Sequence, residues 1–256
     1  MSELDTTPLY AMNPVDRFSD RVEDYVKYRP SYPQAAIARV LEGLSPSQAI
    51  AADIGAGTGI SARLLAEKGV RTIAIEPNAS MRRAATPHAL VEFRDATAEK
   101  TGLADAAVDL VTCFQSFHWF DPEPTLLEFH RILTAEGRLA VVWNERDRHD
   151  EFTAEYTRLI KIASDYHPAE QRRIAIEPLL SSSLFDNVQQ YRFAYQQPLD
   201  FDGIVGRAMS TSYIPRAGAA RDRLIADLRQ LYAKNCNDSG FVTLVYTTSV
   251  FLTQIQ

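Results

Sequence analysis

The stretch Asp53-Ile54-Gly55-Ala56-Gly57-Thr58-Gly59 constrains this chain more than any other. A short apolar run, Ala49-Ile50-Ala51-Ala52-Asp53-Ile54, leads into it, and Ile60, Leu64 and Leu65 follow at helical spacing until Gly69. An apolar run stopped by glycines reads as a buried strand, and the three- and four-residue steps after it read as a helix. Glycines between the two let the backbone turn tightly and approach a ligand closely, with the free N–H groups of the helix N-terminus behind them. A P-loop needs Gly-Lys-Ser/Thr, which is absent. A dinucleotide fingerprint needs glycine three places after Gly57, where Ile60 stands; here the third glycine is Gly59. An acid followed by Gly-x-Gly-x-Gly suits a nucleoside with an amino-acid tail better than a pyrophosphate, although a purely structural glycine turn has the same composition.

The rest of the chain repeats the strand–helix alternation. A helix starts after Pro33, with Ile37, Val40, Leu41 and Leu44 apolar and Gly43 as its stop. Strands are predicted over 70–75, 90–93, 108–114 and 138–143, with helices over 78–85 and 125–133. Beyond these, Phe152, Tyr156, Leu159, Ile160 and Ala163 mark an amphipathic helix. A strand is expected over 191–199, a helix around Leu224, Leu228 and Tyr232, and a closing strand over 241–252. Units of this kind imply an α/β, doubly wound, Rossmann-like sheet with right-handed connections. We expect seven strands in a mostly parallel sheet, two edge strands from the tail, and a helical cover at the carboxyl edge. Residues 1–256 read as one domain. Within it, 1–33 form an N-terminal segment interrupted by Pro8, Pro14, Pro30 and Pro33. Residues 34–145 form a cofactor-binding core, and 146–256 a substrate cover with edge strands.

Charge and composition narrow the partners. Lys plus Arg total 27 against 33 Asp plus Glu, a net charge of −6 at pH 7. The densest charge cluster, Arg146-Asp147-Arg148-His149-Asp150-Glu151, mixes signs. Nucleic-acid binders concentrate basic residues on one face, so small molecules are the expected partners and nucleic acid is not. No apolar stretch approaches the ~18 residues of a membrane span, and the N-terminus lacks the basic and apolar regions of a signal peptide. Two cysteines, Cys113 and Cys236, are too few for a disulfide framework or a zinc cluster, which fits a cytoplasmic setting.

Two acids accompany the glycine turn. Glu76 ends the second strand, 21 residues after Gly55, where doubly wound folds place a carboxylate toward ribose hydroxyls. Asp95 follows the third strand in Phe93-Arg94-Asp95-Ala96-Thr97-Ala98-Glu99, placed to meet an adenine amino group or simply to form a turn.

From about Ala51 to Trp143 the sequence resembles the class I S-adenosylmethionine-dependent methyltransferases. The resemblance is carried by ADIGAGTG, IEPNASM, FRDATAEKTGLADAAVDLV, HRIL and GRLAVVW. Phe117-His118-Trp119-Phe120-Asp121 and Tyr28-Arg29-Pro30-Ser31-Tyr32-Pro33 are similar to the methyltransferase type 11 group, and the layout to trans-aconitate methyltransferase-like proteins. That resemblance implies an antiparallel last strand, a lid role for residues 1–33, S-adenosylmethionine as cofactor, and methyl transfer to oxygen, nitrogen or carbon of a small molecule. It makes Asp53, Gly55, Ala56, Gly57 and Gly59 the methionine loop, Glu76 with Pro77 the ribose region, Asp95 and Ala96 adenine contacts, and Gln115 a neighbour of the cofactor. Two departures stand out. Thr134-Ala135-Glu136-Gly137 replaces Pro-Gly-Gly before the fifth strand. Cys113-Phe114-Gln115-Ser116 replaces Asn/Asp-Pro-Pro-Tyr, which disfavours enzymes that methylate adenine bases or glutamine amides.

His118 is the candidate base for a hydroxyl acceptor, with packing beside Trp119 and Phe120 as the alternative. Tyr25, Tyr28, Arg29, Trp119 and Asn144 are candidate lid or substrate residues. The aromatics Phe117, Trp119, Phe120, Trp143 and Tyr213 point to a partly apolar acceptor. No metal is expected, because Asp150 and Glu151 precede a helix whose N-terminus they would cap. Two rival readings stand beside this one: a non-catalytic S-adenosylmethionine-binding protein and an NAD-dependent oxidoreductase.

Overall fold

The protein is described by a computed structural model covering residues 8–12, 20–167 and 176–256. Of the expected lid segment, 1–7 and 13–19, with Pro14, lie outside the described residues.

Seven strands form one sheet in the order β3-β2-β1-β4-β5-β7-β6. They are β1 (Ile50–Ile54), β2 (Arg71–Ile75), β3 (Val91–Arg94), β4 (Val108–Phe114), β5 (Leu133–Arg146), β6 (Phe185–Leu199) and β7 (Val242–Ile255). Strands β1 to β5 pair in parallel, whereas β7 runs antiparallel to both β5 and β6. The central strands are buried on both faces, and their side chains alternate between two cores with the period of two that a pleated strand imposes. Val111, Cys113, Leu139, Val141 and Trp143 enter one core with Leu126 and Phe129 of α5 (Pro122–Ile132). Leu110, Phe114, Ala140 and Val142 enter the other, beneath Ile37 and Val40 of α2 (Gln34–Leu41) and Leu64 and Leu65 of α3 (Ile60–Ala66).

The order reverses at β1, which lies between β2 and β4. A crevice opens beyond the carboxyl ends of strands at such a switch point, and ligands of open α/β sheets bind there. A third apolar cluster covers this end. It joins α6 (Glu151–Ala163), α8 (Phe201–Met209) and α9 (Ala219–Asn235) to the start of β7 through Tyr156, Ile204, Leu228 and Tyr246. The remaining helices are α1 (Val22–Tyr28), α4 (Ala79–Arg83) and the short α7 (Glu177–Leu180). Among the described residues no helix is long and apolar enough to cross a membrane.

The expected sheet and its antiparallel closing strand are present, with three differences. Only β6 is an edge strand on the tail side; β7 is inserted between β5 and β6. Thr134 to Gly137, expected as a turn, lies inside β5 as an irregularity: Val108 pairs with Leu133, but Leu110 pairs with Arg138. A helix, α1, also forms between the prolines, where the polar, tyrosine-rich composition carries no periodic signal. It is held by tertiary contact with α8, where a β-carbon on Gly206 would lie 2.0 Å from the Tyr28 ring.

Candidate active site

The glycine turn has the backbone its composition demands. Gly55, Gly57 and Gly59 hold φ of +67°, +58° and +76°, a region that side chains make costly. Space adds a second requirement at two of them. A β-carbon on Gly55 would lie 2.6 Å from the Ser116 Cβ, and one on Gly59 2.8 Å from the Phe93 ring. Gly55 and Ala56 donate to the Ile75 carbonyl at 2.8 and 3.1 Å, which ties the turn to the end of β2.

Asp53 braces the turn from below. It is fully buried, and its two oxygens accept from the Ser61 Oγ at 2.6 Å and the Thr112 Oγ1 at 2.7 Å. One carboxylate thereby joins β1, the first turn of α3 and β4. Burial pushes its pKa up to about 6; hydrogen bonds from Ser61, Thr112 and the Ala62 N–H oppose the rise, and the charge of Glu76 adds to it.

Beyond the turn lies a cleft with about 790 Å³ of open space, mouth included. Glu76 lines it, nearly buried, with Oε2 accepting from the Gly57 N–H and Oε1 from the Asn78 N–H, both at 2.8 Å. Its pKa is raised, chiefly by burial, against the pull of these two N–H groups and of Arg82. The neighbouring walls are Pro77, Met81, Ala96, Ala98, Trp119 and Phe120, all apolar or aromatic. Gly55, Gly57, Gln115, Ser116 and Tyr25 line the same cleft at the glycine turn.

Gln115 is held in a strained shape. Its φ is +59°, unusual for a side chain with a β-carbon. Its N–H donates to the Val142 carbonyl and its Nε2 to the Asn144 carbonyl, both at 2.9 Å. Asn144, buried at the end of β5, donates from Nδ2 to the Ser31 carbonyl at 2.9 Å and accepts from the Thr248 Oγ1 at 2.6 Å. It thus pins the N-terminal segment to the sheet. Arg21 and Arg29 pin the same segment to the tail: Arg21 donates to the carbonyls of Thr211 and Ile214, each at 2.7 Å, and Arg29 to that of Ser210 at 3.0 Å.

A glycine turn at the switch point with a cleft-facing acid on the next strand is the geometry expected from the sequence, and comparison with known proteins names it. Residues 52–141 match the family model described as a methyltransferase domain. An uncharacterized methyltransferase of Mycobacterium tuberculosis is 33% identical over 239 residues, 90% of this chain and 92% of the relative. The chain belongs to the class I S-adenosylmethionine-dependent methyltransferases. Among solved structures, a methyltransferase from Anaeromyxobacter dehalogenans superposes with a TM-score of 0.64 at 25% identity, covering 88% of this chain and 97% of the other. A Haemonchus contortus N-methyltransferase solved with phosphomonomethylethanolamine and S-adenosylhomocysteine shares the fold alone, with a TM-score of 0.55 at 15% identity over 95% of this chain and 58% of that one. These relationships set aside the oxidoreductase reading.

The methyltransferase cofactor is S-adenosylmethionine, and the residues present fit it. The Glu76 oxygens each give one lone pair to a backbone N–H and keep another for a hydroxyl. At Gly57 a β-carbon would stand 3.5 Å from the Tyr25 hydroxyl, narrowing the cleft where the two walls meet.

Several expected site residues lie elsewhere than the sequence placed them. Asp53 does not line the cleft; it is the brace described above. Gly59 meets Phe93 rather than the cleft, and Ala56 lines an adjoining chamber. Asp95 is exposed and paired with Arg82 at 2.6 Å, while Ala96, Thr97, Ala98 and Glu99 line the wall beside it. His118 is also not among the lining residues. Its Nδ1 accepts from the Trp143 indole N–H at 3.3 Å, on the single turn Phe117–Trp119. Phe117 and Trp143 are core residues packed edge to face, so of the proposed aromatic lining only Trp119 and Phe120 reach the cleft. Tyr25 lines it and Arg29 lines the chamber, but Tyr28 packs against Gly206. Asp150 caps α6, accepting from the Thr153 N–H at 2.8 Å, and no metal-ligating cluster occurs among the described residues. Sequence reasoning missed Asn78, Met81 and Arg207, because such residues, scattered singly through helices and their caps, carry no spacing signature.

Proposed function

We propose that this methyltransferase acts on a small-molecule acceptor held beneath the N-terminal segment, at the end of the cleft formed by Gly55, Gln115 and Tyr25. The carrying observation is closure. Arg21, Arg29 and the Asn144–Ser31 bond lash the segment across the carboxyl edge of the sheet, and Tyr25 forms part of the cleft wall. A small molecule suits a cleft partly roofed by this segment better than a polymer does, and the net charge of −6 is unfavourable to nucleic acid.

Within this reading Glu76 takes the ribose hydroxyls, Met81, Ala96, Trp119 and Phe120 enclose the adenine, and Gly55, Gly57 and Gln115 take the amino-acid tail. When bound, the cofactor supplies a methyl group on a sulfonium, already activated for displacement. The protein's work is then alignment and exclusion of water. Gln115 is central to that alignment, since its left-handed backbone and its bond to Asn144 fix the end of β4 against the roof. Oxygen, nitrogen and carbon acceptors all remain within the proposal, and an acceptor that is already nucleophilic needs no protein base. Cys113 and Cys236 are both free thiols, which suits a cytoplasmic protein.

The test is incubation with methyl-labelled S-adenosylmethionine against two panels: carboxylic acids, phenols and amines in one, and mixed protein, RNA and DNA in the other. Label is expected in a small molecule, with S-adenosylhomocysteine formed in equal amount. Label in a polymer alone refutes the proposal.

A further inference from the structure

Behind the glycine turn a second, narrow chamber, about 430 Å³ only with its open mouth included, adjoins the cleft and shares Tyr25, Gly55, Phe114 and Gln115 with it. Arg207, on α8, lines this chamber although only 3% of its surface is exposed. Its protein partners are three neutral hydroxyls at long range: Nε donates to the Tyr246 hydroxyl at 3.3 Å, and Nη1 to the Ser210 Oγ and the Thr211 Oγ1 at 3.4 Å. Among the described residues no carboxylate pairs with it; tyrosines supply the favourable electrostatic contacts. Close by, the fully buried Tyr156 hydroxyl has no hydrogen-bond partner among the described residues, and Arg146 lies over its ring at 5.5 Å.

A guanidinium taken from water without an opposite charge is costly, and a rigid fork of donors facing a chamber matches a planar carboxylate. We propose that Arg207 is a carboxylate-binding residue, taking into this chamber the carboxylate of a ligand that enters through the cofactor cleft. The inference rests on the methyltransferase reading of that cleft. Two ligands of such an enzyme can bring the group: the amino-acid tail of the cofactor and the acceptor itself. Sequence could not have singled out this arginine, since its separation from the acids of the described residues arises only when α8 folds over the glycine turn.

The experiment is isothermal titration of wild type, Arg207→Met and Arg207→Lys. Ligands are S-adenosylhomocysteine, 5′-methylthioadenosine (which lacks the amino-acid tail), and benzoate and glutarate, with benzamide as the uncharged control, the last three with and without S-adenosylhomocysteine. We expect Arg207→Met to lose tenfold or more in affinity for at least one carboxylate ligand, to bind 5′-methylthioadenosine as wild type does, and to regain part of the loss in Arg207→Lys. Loss of S-adenosylhomocysteine identifies the cofactor tail as the source. Loss of benzoate or glutarate, with S-adenosylhomocysteine unchanged, identifies the acceptor. Affinities within twofold of wild type for every carboxylate overturn the proposal and leave Arg207 a packing residue. If Arg207→Met does not fold, the same comparison is made with Arg207→Lys, whose charge is retained but whose planar fork is not. Failure of wild type to bind either nucleoside refutes the cofactor site instead, and the benzoate and benzamide arms still decide on Arg207.

Discussion

Replacing Asp53 by asparagine separates the brace under the glycine turn from the ligand site above it. Asp53 is fully buried, and its pKa stands at about 6 against an ordinary 3.8. A folded-state pKa above the unfolded one means that the native protein holds this proton more tightly. The stabilisation is therefore complete below pH 3.8 and is lost as pH rises through 6. A difference of about 2 units at ~1.4 kcal/mol each amounts to about 3 kcal/mol, lost mostly between pH 4 and 7. The asparagine side chain of the Asp53→Asn variant cannot ionise. Its oxygen still accepts from one of the two hydroxyls, Ser61 and Thr112, and its amide donates to the other. Urea unfolding at half-unit steps from pH 4 to 7.5 should give a wild-type stability that declines relative to Asp53→Asn by about 2–3 kcal/mol. Binding of S-adenosylhomocysteine at pH 7.5 should stay within threefold of wild type, because Asp53 does not line the cleft. Parallel stability curves for the two proteins, or a hundredfold loss of ligand affinity with an unchanged melting temperature, would refute the brace.

Three further outcomes follow from the same geometry. Glu76→Gln presents an amide N–H to one of the two backbone donors it now accepts from, so S-adenosylhomocysteine affinity should fall by about 1–3 kcal/mol by titration calorimetry; unchanged affinity would remove Glu76 from the cofactor site. Gly206→Ala drives a methyl group into the Tyr28 ring and should cost about 1–3 kcal/mol in urea unfolding while accelerating tryptic cleavage after Lys27; wild-type cleavage rates would show that α1 does not depend on α8. His118→Ala removes the acceptor for the Trp143 indole and should lower the melting temperature with kcat changed less than threefold; a hundredfold fall in kcat with no loss of stability would make His118 the base after all.

The contrast between Glu76 and Asp95 explains what could be read in advance. Both acids follow a strand of the parallel sheet, and spacing assigns both to the cofactor. Glu76 turns inward because two backbone N–H groups, Gly57 and Asn78, converge on it; Asp95 turns outward because Arg82 of α4 captures it. Spacing along a strand fixes which edge of the sheet a residue occupies. Rotamer and partner are fixed by other elements. His118 and Trp143 carry the same lesson: an aromatic-rich tract looks like a pocket wall, yet Phe117 and Trp143 meet each other inside the core.

The alternation of strands and helices, the glycine turn at 55–59, the closing strand and the cofactor family were all legible in the chain before it folded. Each of these is local: periodic burial, positive φ at glycine, and a short motif act over fewer than about 20 residues. Three features had to wait for tertiary folding: β7 enters between β5 and β6, an N-terminal helix forms against Gly206, and Arg207 beside the cofactor cleft has no acid partner among the described residues. Such features join residues nearly 200 positions apart, as Arg21 and Ile214 are. Their energetics lie in packing and desolvation, which no single segment carries in its own sequence.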